Sequence, residues 1–191
     1  MKVYSVLLPD LANRADLIER YEEMLSSSEL ERYQKMTDGQ RRLQFLAGRA
    51  LIRAVFHQSP RVLENGKPVV NEAYISLAHS GPHVLLAVAD SPAGIDIEDA
   101  SKQKDFKQLS KRLGFHLSGD ERLSFFRQFT RYEADYKLGE KESQIYHFYY
   151  SIDTFIICVS ILNKKENIYF IKTVPFVSEA PLLIPLLKQE I

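Results

Sequence analysis

Apolar and polar positions alternate between two periods along this chain. The apolar run over residues 3–8, stopped by Pro9-Asp10, predicts an opening strand. Over residues 14–25, Leu17, Ile18, Tyr21, Met24 and Leu25 fall on one helical face. Ser28 followed by Glu31 fits a capping box for a further helix. From about Asp38, Leu43, Leu46, Ala47, Ala50, Leu51, Ala54 and Val55 recur at three and four residues. This predicts a long helix ending between His57 and Pro60, with Arg41, Arg42, Arg49 and Arg53 on or beside it.

The middle changes period. Residues 61–63, 74–77 and 84–88 read as strands, with a turn at Asn65-Gly66-Lys67-Pro68 and a loop at Ala78-His79-Ser80-Gly81-Pro82. Ile95-Asp96-Ile97-Glu98 alternates, so its two carboxylates share one face of a strand. Helical patterns return at 104–113 and 120–138. In the second, Glu133 and Lys137 lie one turn apart and Gly139 supplies a stop. Strand-like runs follow at 145–150, 154–161 and 167–173. The order strand, helices, strands therefore occurs twice. It predicts an α+β fold of two similar halves, residues 1–94 and 95–175, followed by a Pro/Leu-rich tail over 176–191. No residue-level repeat accompanies this order.

Composition narrows the classes. The 191 residues are 45% hydrophobic and 26% charged, which suits a folded chain with one sizeable core. Twenty-five basic and 25 acidic residues give zero formal charge, which argues against a strongly basic nucleic-acid binder. The single Cys158 cannot form an internal disulfide and sits in an apolar run, as a packed thiol does. The first residues are too short for a secretory apolar region, and no run reaches 18 apolar residues. A cytoplasmic protein without a membrane partner is the expectation.

Chemistry concentrates at few positions. Asp96 and Glu98, projecting together, repel unless protonated or neutralised. A hard divalent cation such as Mg²⁺ is one physical reason for the pairing, with Glu133 a third oxygen donor. Read alone, such a pair is more often two exposed acids at a strand end. His79 can bind an anion or move a proton, and is otherwise a turn histidine bonded to backbone. Zinc spacing, glycine-rich phosphate loops and a nucleophile elbow are all missing from the sequence.

In combination, these pieces resemble the Sfp-type 4′-phosphopantetheinyl transferases. The resemblance is carried by Phe45-Leu46-Ala47-Gly48-Arg49, Gly66-Lys67-Pro68, Ala78-His79-Ser80-Gly81, Gly94-Ile95-Asp96-Ile97-Glu98 and the stretch from Phe129 to Gly139. It implies a monomeric pseudo-dimer of two α+β halves, with coenzyme A and Mg²⁺ in the cleft between them. It also implies transfer of phosphopantetheine to a serine of an apo acyl or peptidyl carrier protein, with release of adenosine 3′,5′-bisphosphate. By residue match, Asp96, Glu98 and Glu133 are the expected metal ligands, and Glu133, Lys137 and His79 the expected catalytic residues. Arg41, Arg42, Arg49, Lys67, Pro68, His79, Ser80 and Lys137 are the expected coenzyme A contacts.

The match has departures. Gln44 stands where the family often has a basic residue, Ala78 precedes His79, and Tyr132 replaces a lysine before Glu133. Gly139-Glu140-Lys141 lacks the family's second glycine. Two other classes stay compatible with the sequence. One is a divergent homologue that binds coenzyme A or carrier without transfer, and the other is a scaffold with exposed charges. Metal-dependent turnover separates the first from an enzyme, and coenzyme A binding separates the second. For an acidic carrier, Lys111, Arg112, Arg122 and Arg127 are candidate rim residues.

Overall fold

A computed structural model describes residues 1–57, 60–63, 67–103, 105–139, 144–162 and 164–172, and the backbone of 182–183 and 188–190. Strand β1 (Lys2–Leu7) runs into a short helix α1 (Pro9–Ala12) that the sequence did not suggest. Pro9 sits in its first turn, where a missing N–H costs nothing. Helix α2 (Ala15–Glu23) buries Leu17 and Tyr21. Helix α3 (Ser27–Gln34) starts two residues earlier than the expected capping box. Ser26, with extended backbone, accepts from the Glu29 N–H, while the Glu29 carboxylate accepts from the Ser26 N–H. Ser28 already lies in the first turn and cannot be the cap, because a cap residue must stand outside helical geometry. Helix α4 (Gly39–Phe56) is capped by Asp38, which accepts from the Arg41 N–H, and ends at His57 in the left-handed region.

Strands β2 (Arg61–Val62) and β3 (Pro68–Val69) pair with each other. The Asn65-Gly66 turn expected between them lies outside the described residues. Strands β4 (Tyr74–Ser80) and β5 (His83–Ala89) form a hairpin through Gly81-Pro82. The expected loop at 78–82 is thus shorter. Ala78, His79 and Ser80 belong to β4 because their backbone pairs continue to Leu85, Val84 and His83. Strand β6 (Ala93–Asp99) leads to α5 (Phe106–Leu113) and α6 (Glu121–Leu138), the latter ended by Gly139 at φ 78°. Strands β7 (Tyr146–Ile152), β8 (Phe155–Ile161) and β9 (Tyr169–Lys172) follow. Most of the 176–191 tail lies outside the described residues, but β10 (Leu182–Leu183) pairs with β9 and β11 (Lys188–Glu190) with β7.

The fold is α+β. One sheet runs β10-β9-β1-β5-β4 and the other β11-β7-β8-β6. In the first, the hairpin β4–β5 follows the helices and β5 returns beside β1. In the second, the hairpin β7–β8 follows the helices and β8 returns beside β6. Strand β9 then crosses back to pair in parallel with β1.

Alternation along the strands explains the layers. Ala78, Leu85 and Ala87 of the first sheet share one buried cluster with Ile95, Ile97, Ile157 and Val159 of the second. The other face of the first sheet, including Val84 and Leu86, packs beneath Leu46, Ala47, Ala50 and Leu51 of α4. Ile156 on the far side of the second sheet meets Phe125 and Phe126 of α6. Edge strands β4 and β6 are joined where Ser76 Oγ accepts from the Ile95 N–H at 3.2 Å. No helix among the described residues is long and apolar enough to cross a membrane.

Candidate active site

Gly94 sets the site's geometry. A Cβ placed there would lie 1.9 Å from the Ala134 carbonyl oxygen and 2.8 Å from the Leu138 nitrogen. Only a hydrogen at this position lets α6 lie so close to β6. Asp96 is two residues further along the strand, on the same face as Gly94. Lys137 of α6 reaches it: Nζ donates to Asp96 Oδ1 at 2.6 Å and to the Ile95 carbonyl at 3.2 Å. Lys67, just before β3, donates from Nζ to the Lys137 carbonyl at 3.1 Å. A side chain of the first sheet's half thereby meets the C-terminal, negative end of α6.

Asp96 is only 6% exposed. Burial pushes its carboxyl up to about 6, against the pull of the Lys137 ammonium, and the charges of Glu98 and Glu133 push it further. The three acids expected together therefore share one electrostatic neighbourhood. Asp96 Oδ2 is buried without a hydrogen-bond partner among the described residues. A carboxylate oxygen left bare in this way suits a hard cation in donor type. As the side chains stand, no group of three His, Cys, Asp or Glu among the described residues is arranged to hold a metal ion. Lys137 supplies the positive charge beside Asp96 instead.

Two cavities with shared walls lie nearby, and Lys137 lines one of them. One, of about 580 Å³, is walled by Lys67, Pro68 and Leu77 on one side and by Tyr136, Lys137 and Gly139 on the other. The second, of about 440 Å³, shares Pro68 and Leu77 with it and is lined by Arg32, Arg41, Arg49, Phe45 and His79. His79 keeps an exposed face, yet the cavity walls partly desolvate it. That desolvation lowers its pKa first, and the nearby charges of Lys137, Arg41 and Lys102 act the same way. A neutral imidazole among cations can still donate to an anion through one ring nitrogen.

The expected coenzyme contacts divide. Arg41, Arg49, Pro68 and His79 line the second cavity, and Lys67, Pro68 and Lys137 the first. Arg49 is also committed internally: its Nε lies 2.7 Å from Oε1 of buried Glu29, and its guanidinium stacks over Phe45. Arg42 does not line either cavity and packs over the Tyr33 ring at 4.4 Å. Ser80 lies next to His79 in β4 and so faces the opposite side of the strand. It is buried there and accepts from Lys102 Nζ at 3.3 Å. Gln44 donates to the Gly81 carbonyl at 2.9 Å, fastening α4 to the hairpin turn. Of the expected rim, Lys111 and Arg112 are exposed at the end of α5. Arg127 is half-buried, and Arg122 is occupied by the Ala100 and Lys102 carbonyls.

Two features escaped the sequence reading. Arg32 of α3 joins the basic cavity, at a distance along the chain that no periodicity reveals. Asp135, between Glu133 and Lys137, accepts from buried Ser160 Oγ at 2.7 Å and lies 2.8 Å from His147 Nε2. This polar clamp holds α6 on β7 and β8. Its members are far apart in sequence, and only the placement of α6 unites them.

No family model matches the chain. A curated relative, 4′-phosphopantetheinyl transferase psf-1 of Bacillus pumilus, is 34% identical over 116 residues, covering 52% of this chain. The match covers 48% of that protein, so the chain spans about half the length of the relative it matches. The similarity is that of a distant homologue.

Proposed function

We propose that this chain transfers the 4′-phosphopantetheinyl group of coenzyme A to a serine hydroxyl of an apo acyl or peptidyl carrier protein. The observation that carries the reading is the Lys67–Lys137–Asp96 chain of contacts, whose two lysines line a cavity that shares Pro68 and Leu77 with a second one lined by three arginines and His79. An elongated ligand with a diphosphate at one point and a further phosphate at another suits two adjoining basic cavities. The distant homology to a phosphopantetheinyl transferase supports the same chemistry.

In this reading the serine oxygen attacks the phosphorus that carries pantetheine. The phosphorus–oxygen bond to the adenosine side breaks, and adenosine 3′,5′-bisphosphate leaves. Glu133 takes the serine proton. Lys137 and Lys67 hold the diphosphate, and Lys137 stabilises the charge that grows on the leaving phosphate. His79, Arg41 and Arg32 hold the remaining phosphate, with Phe45 a flat apolar wall. Asp96, Glu98 and Glu133 would hold Mg²⁺, which when bound supplies charge neutralisation to the diphosphate. The fold is read as a pseudo-dimer, supported by the strand order common to residues 1–94 and the region from 95 onward. The exposed Lys111 and Arg112 suit an acidic carrier helix.

The test is incubation with coenzyme A, Mg²⁺ and a panel of apo carrier proteins, read by intact mass. A phosphopantetheine-sized gain on the carrier serine is expected. Coenzyme A binding without any gain across the panel would instead favour a non-catalytic binding homologue.

A further inference from the structure

Where Lys137 sits depends on how α6 lies across the second sheet. Three neighbouring sheet positions form a row beneath the helix: Gly94 of β6 pairs with Ser160 of β8, and Ser160 with His147 of β7. Gly94 admits the Ala134 carbonyl and supplies only space. Apolar packing around it has no preferred direction and does not by itself stop the helix from sliding or turning. Asp135 supplies direction. Its Oδ1 accepts from Ser160 Oγ at 2.7 Å and lies 2.8 Å from His147 Nε2, so one oxygen is held from two strands. Its Oδ2 is left to Arg131, 3.9 Å away on the preceding turn. Ser160 is fully buried and β8 lies between β7 and β6, so the serine hydroxyl is the fixed end of this contact.

Resting on the transfer reading above, we propose that Asp135, Ser160 and His147 are positioning residues for the reaction: they set the register of α6 on the sheet and so hold Lys137 where it meets the diphosphate. The lever is short. Lys137 follows Asp135 by two residues, about 3 Å along the helix axis. A slip of the helix at Asp135 therefore reaches Lys137 almost undiminished, and with it the 2.6 Å contact to Asp96 and the lysine's place in the cavity wall. Asp135, Ser160 and His147 are not among the residues that line the two cavities, so they act on a ligand only through α6. Both strand contacts fall on the same oxygen of Asp135. The charge of this residue is therefore dispensable and its acceptor oxygen is not.

The experiment compares the parent with Asp135→Ala, Asp135→Asn and Ser160→Ala by two readouts. The first is acetylation of each lysine by a limiting amount of an N-hydroxysuccinimide ester, read by peptide mass spectrometry, with exposed Lys111 as the internal reference. Lys137 should react severalfold faster relative to Lys111 in both alanine variants, because its contact with Asp96 is loosened. The second is transfer to a carrier that the parent modifies. The rate at saturating coenzyme A should fall by about tenfold or more, with a much smaller change in KM. Asp135→Asn keeps the acceptor oxygen and should recover most of both readouts. If Asp135→Ala is recovered unfolded, Ser160→Ala decides, since it removes one hydroxyl and adds no bulk. Folded alanine variants that match the parent in both readouts overturn the proposal. A rise in the labelling of all lysines alike, which marks general loosening, overturns it too. In a parent that transfers, either change without the other also overturns it. Faster Lys137 labelling in variants of a parent that modifies no carrier leaves the placement of Lys137 by the clamp standing and removes the transfer reading alone.

Discussion

Replacing Gly94 by alanine sets two physical effects against each other. In a strand, alanine restricts the unfolded chain more than glycine does and is worth roughly 0.5–1 kcal/mol of added stability where the backbone accepts it. Nothing in the Gly94 backbone forbids this, since it is not among the positive-φ glycines. The space forbids it. The new Cβ would sit 1.9 Å from the Ala134 oxygen, so α6 must withdraw by about 1.5 Å to reach an ordinary contact. The obstacle is helix backbone, not the tip of a flexible side chain, so local repacking cannot absorb it. Overpacking of this kind costs about 1–3 kcal/mol and sometimes more, and the severity here places Gly94→Ala at about 3 kcal/mol. For a chain of this length that corresponds to a fall of roughly 6–12 °C in Tm. The same withdrawal separates Lys137 and Glu133 from Asp96, and a misplacement of about 1 Å is enough to cost on the order of 100-fold in rate. Urea unfolding and single-turnover carrier modification measure the two effects on one preparation. A variant as stable as its parent, or more so, would show that α6 does not rest on β6 as described.

The remaining predictions concern other parts of the molecule. Glu29→Leu strands the buried guanidinium of Arg49, so urea unfolding should register a loss of about 3–5 kcal/mol, against little change for an exposed pair such as Arg14–Asp16. Burial lowers the pKa of His83 below its ordinary 6.5, with Asp153 and Asp99 opposing weakly. The unfolded chain therefore takes up a proton before the folded one as pH falls, stability drops from about pH 6.5 downward, and it levels off below the folded pKa. His83→Phe should flatten that slope in denaturant titrations across the same range. Asp96→Asn, Glu133→Gln and Lys137→Met should each lower single-turnover transfer by about 100-fold or more while the proteins remain folded by circular dichroism. Near-parent transfer in all three would dismiss the shared site. Arg41→Ala should weaken coenzyme A binding more at low salt than at high, as isothermal titration at two ionic strengths will show.

Local rules made α4 and α6 legible. Their apolar spacing is regular, and Asp38, Asp120 and Gly139 mark their ends by side-chain or backbone capping. The sequence places the α3 start two residues late because Ser26, Ser28, Glu29 and Glu31 offer two overlapping capping patterns. Only the backbone angles at Ser26 choose between them. Alternation placed Asp96 and Glu98 on one face, but it said nothing of what lies opposite. The Lys67 contact with the Lys137 carbonyl spans 70 positions, and the Asp135–Ser160 bond spans 25. Such pairs follow from how the layers stack, which a one-dimensional pattern does not encode. Gly94 did carry a readable signal, since a glycine inside a strand marks a close approach of backbone. Ser80 and His79 share one motif, but adjacent strand residues point apart and only His79 lines a cavity. The motif points to Arg49 as a ligand contact and Arg49 does line the second cavity, but its buried partner Glu29, 20 positions upstream, is not legible in that motif.

Strand β9 imposes an order on how the chain can be made. As it leaves the ribosome, β1 can join the β4–β5 hairpin once residue 89 has emerged, and the helices can cover one face. The opposite margin of β1 then presents four residues, Lys2 to Ser5, whose parallel partners are Tyr169 to Lys172. Until those are synthesised, this margin is an open template for any extended segment, including another nascent copy. At about 5–20 residues per second, the roughly 80 residues still to come leave it open for several seconds. Closing it requires a parallel pairing across most of the chain, the slowest kind of contact to form. A fragment ending after β6 would carry the open margin permanently. It should therefore self-associate at concentrations where the intact chain does not.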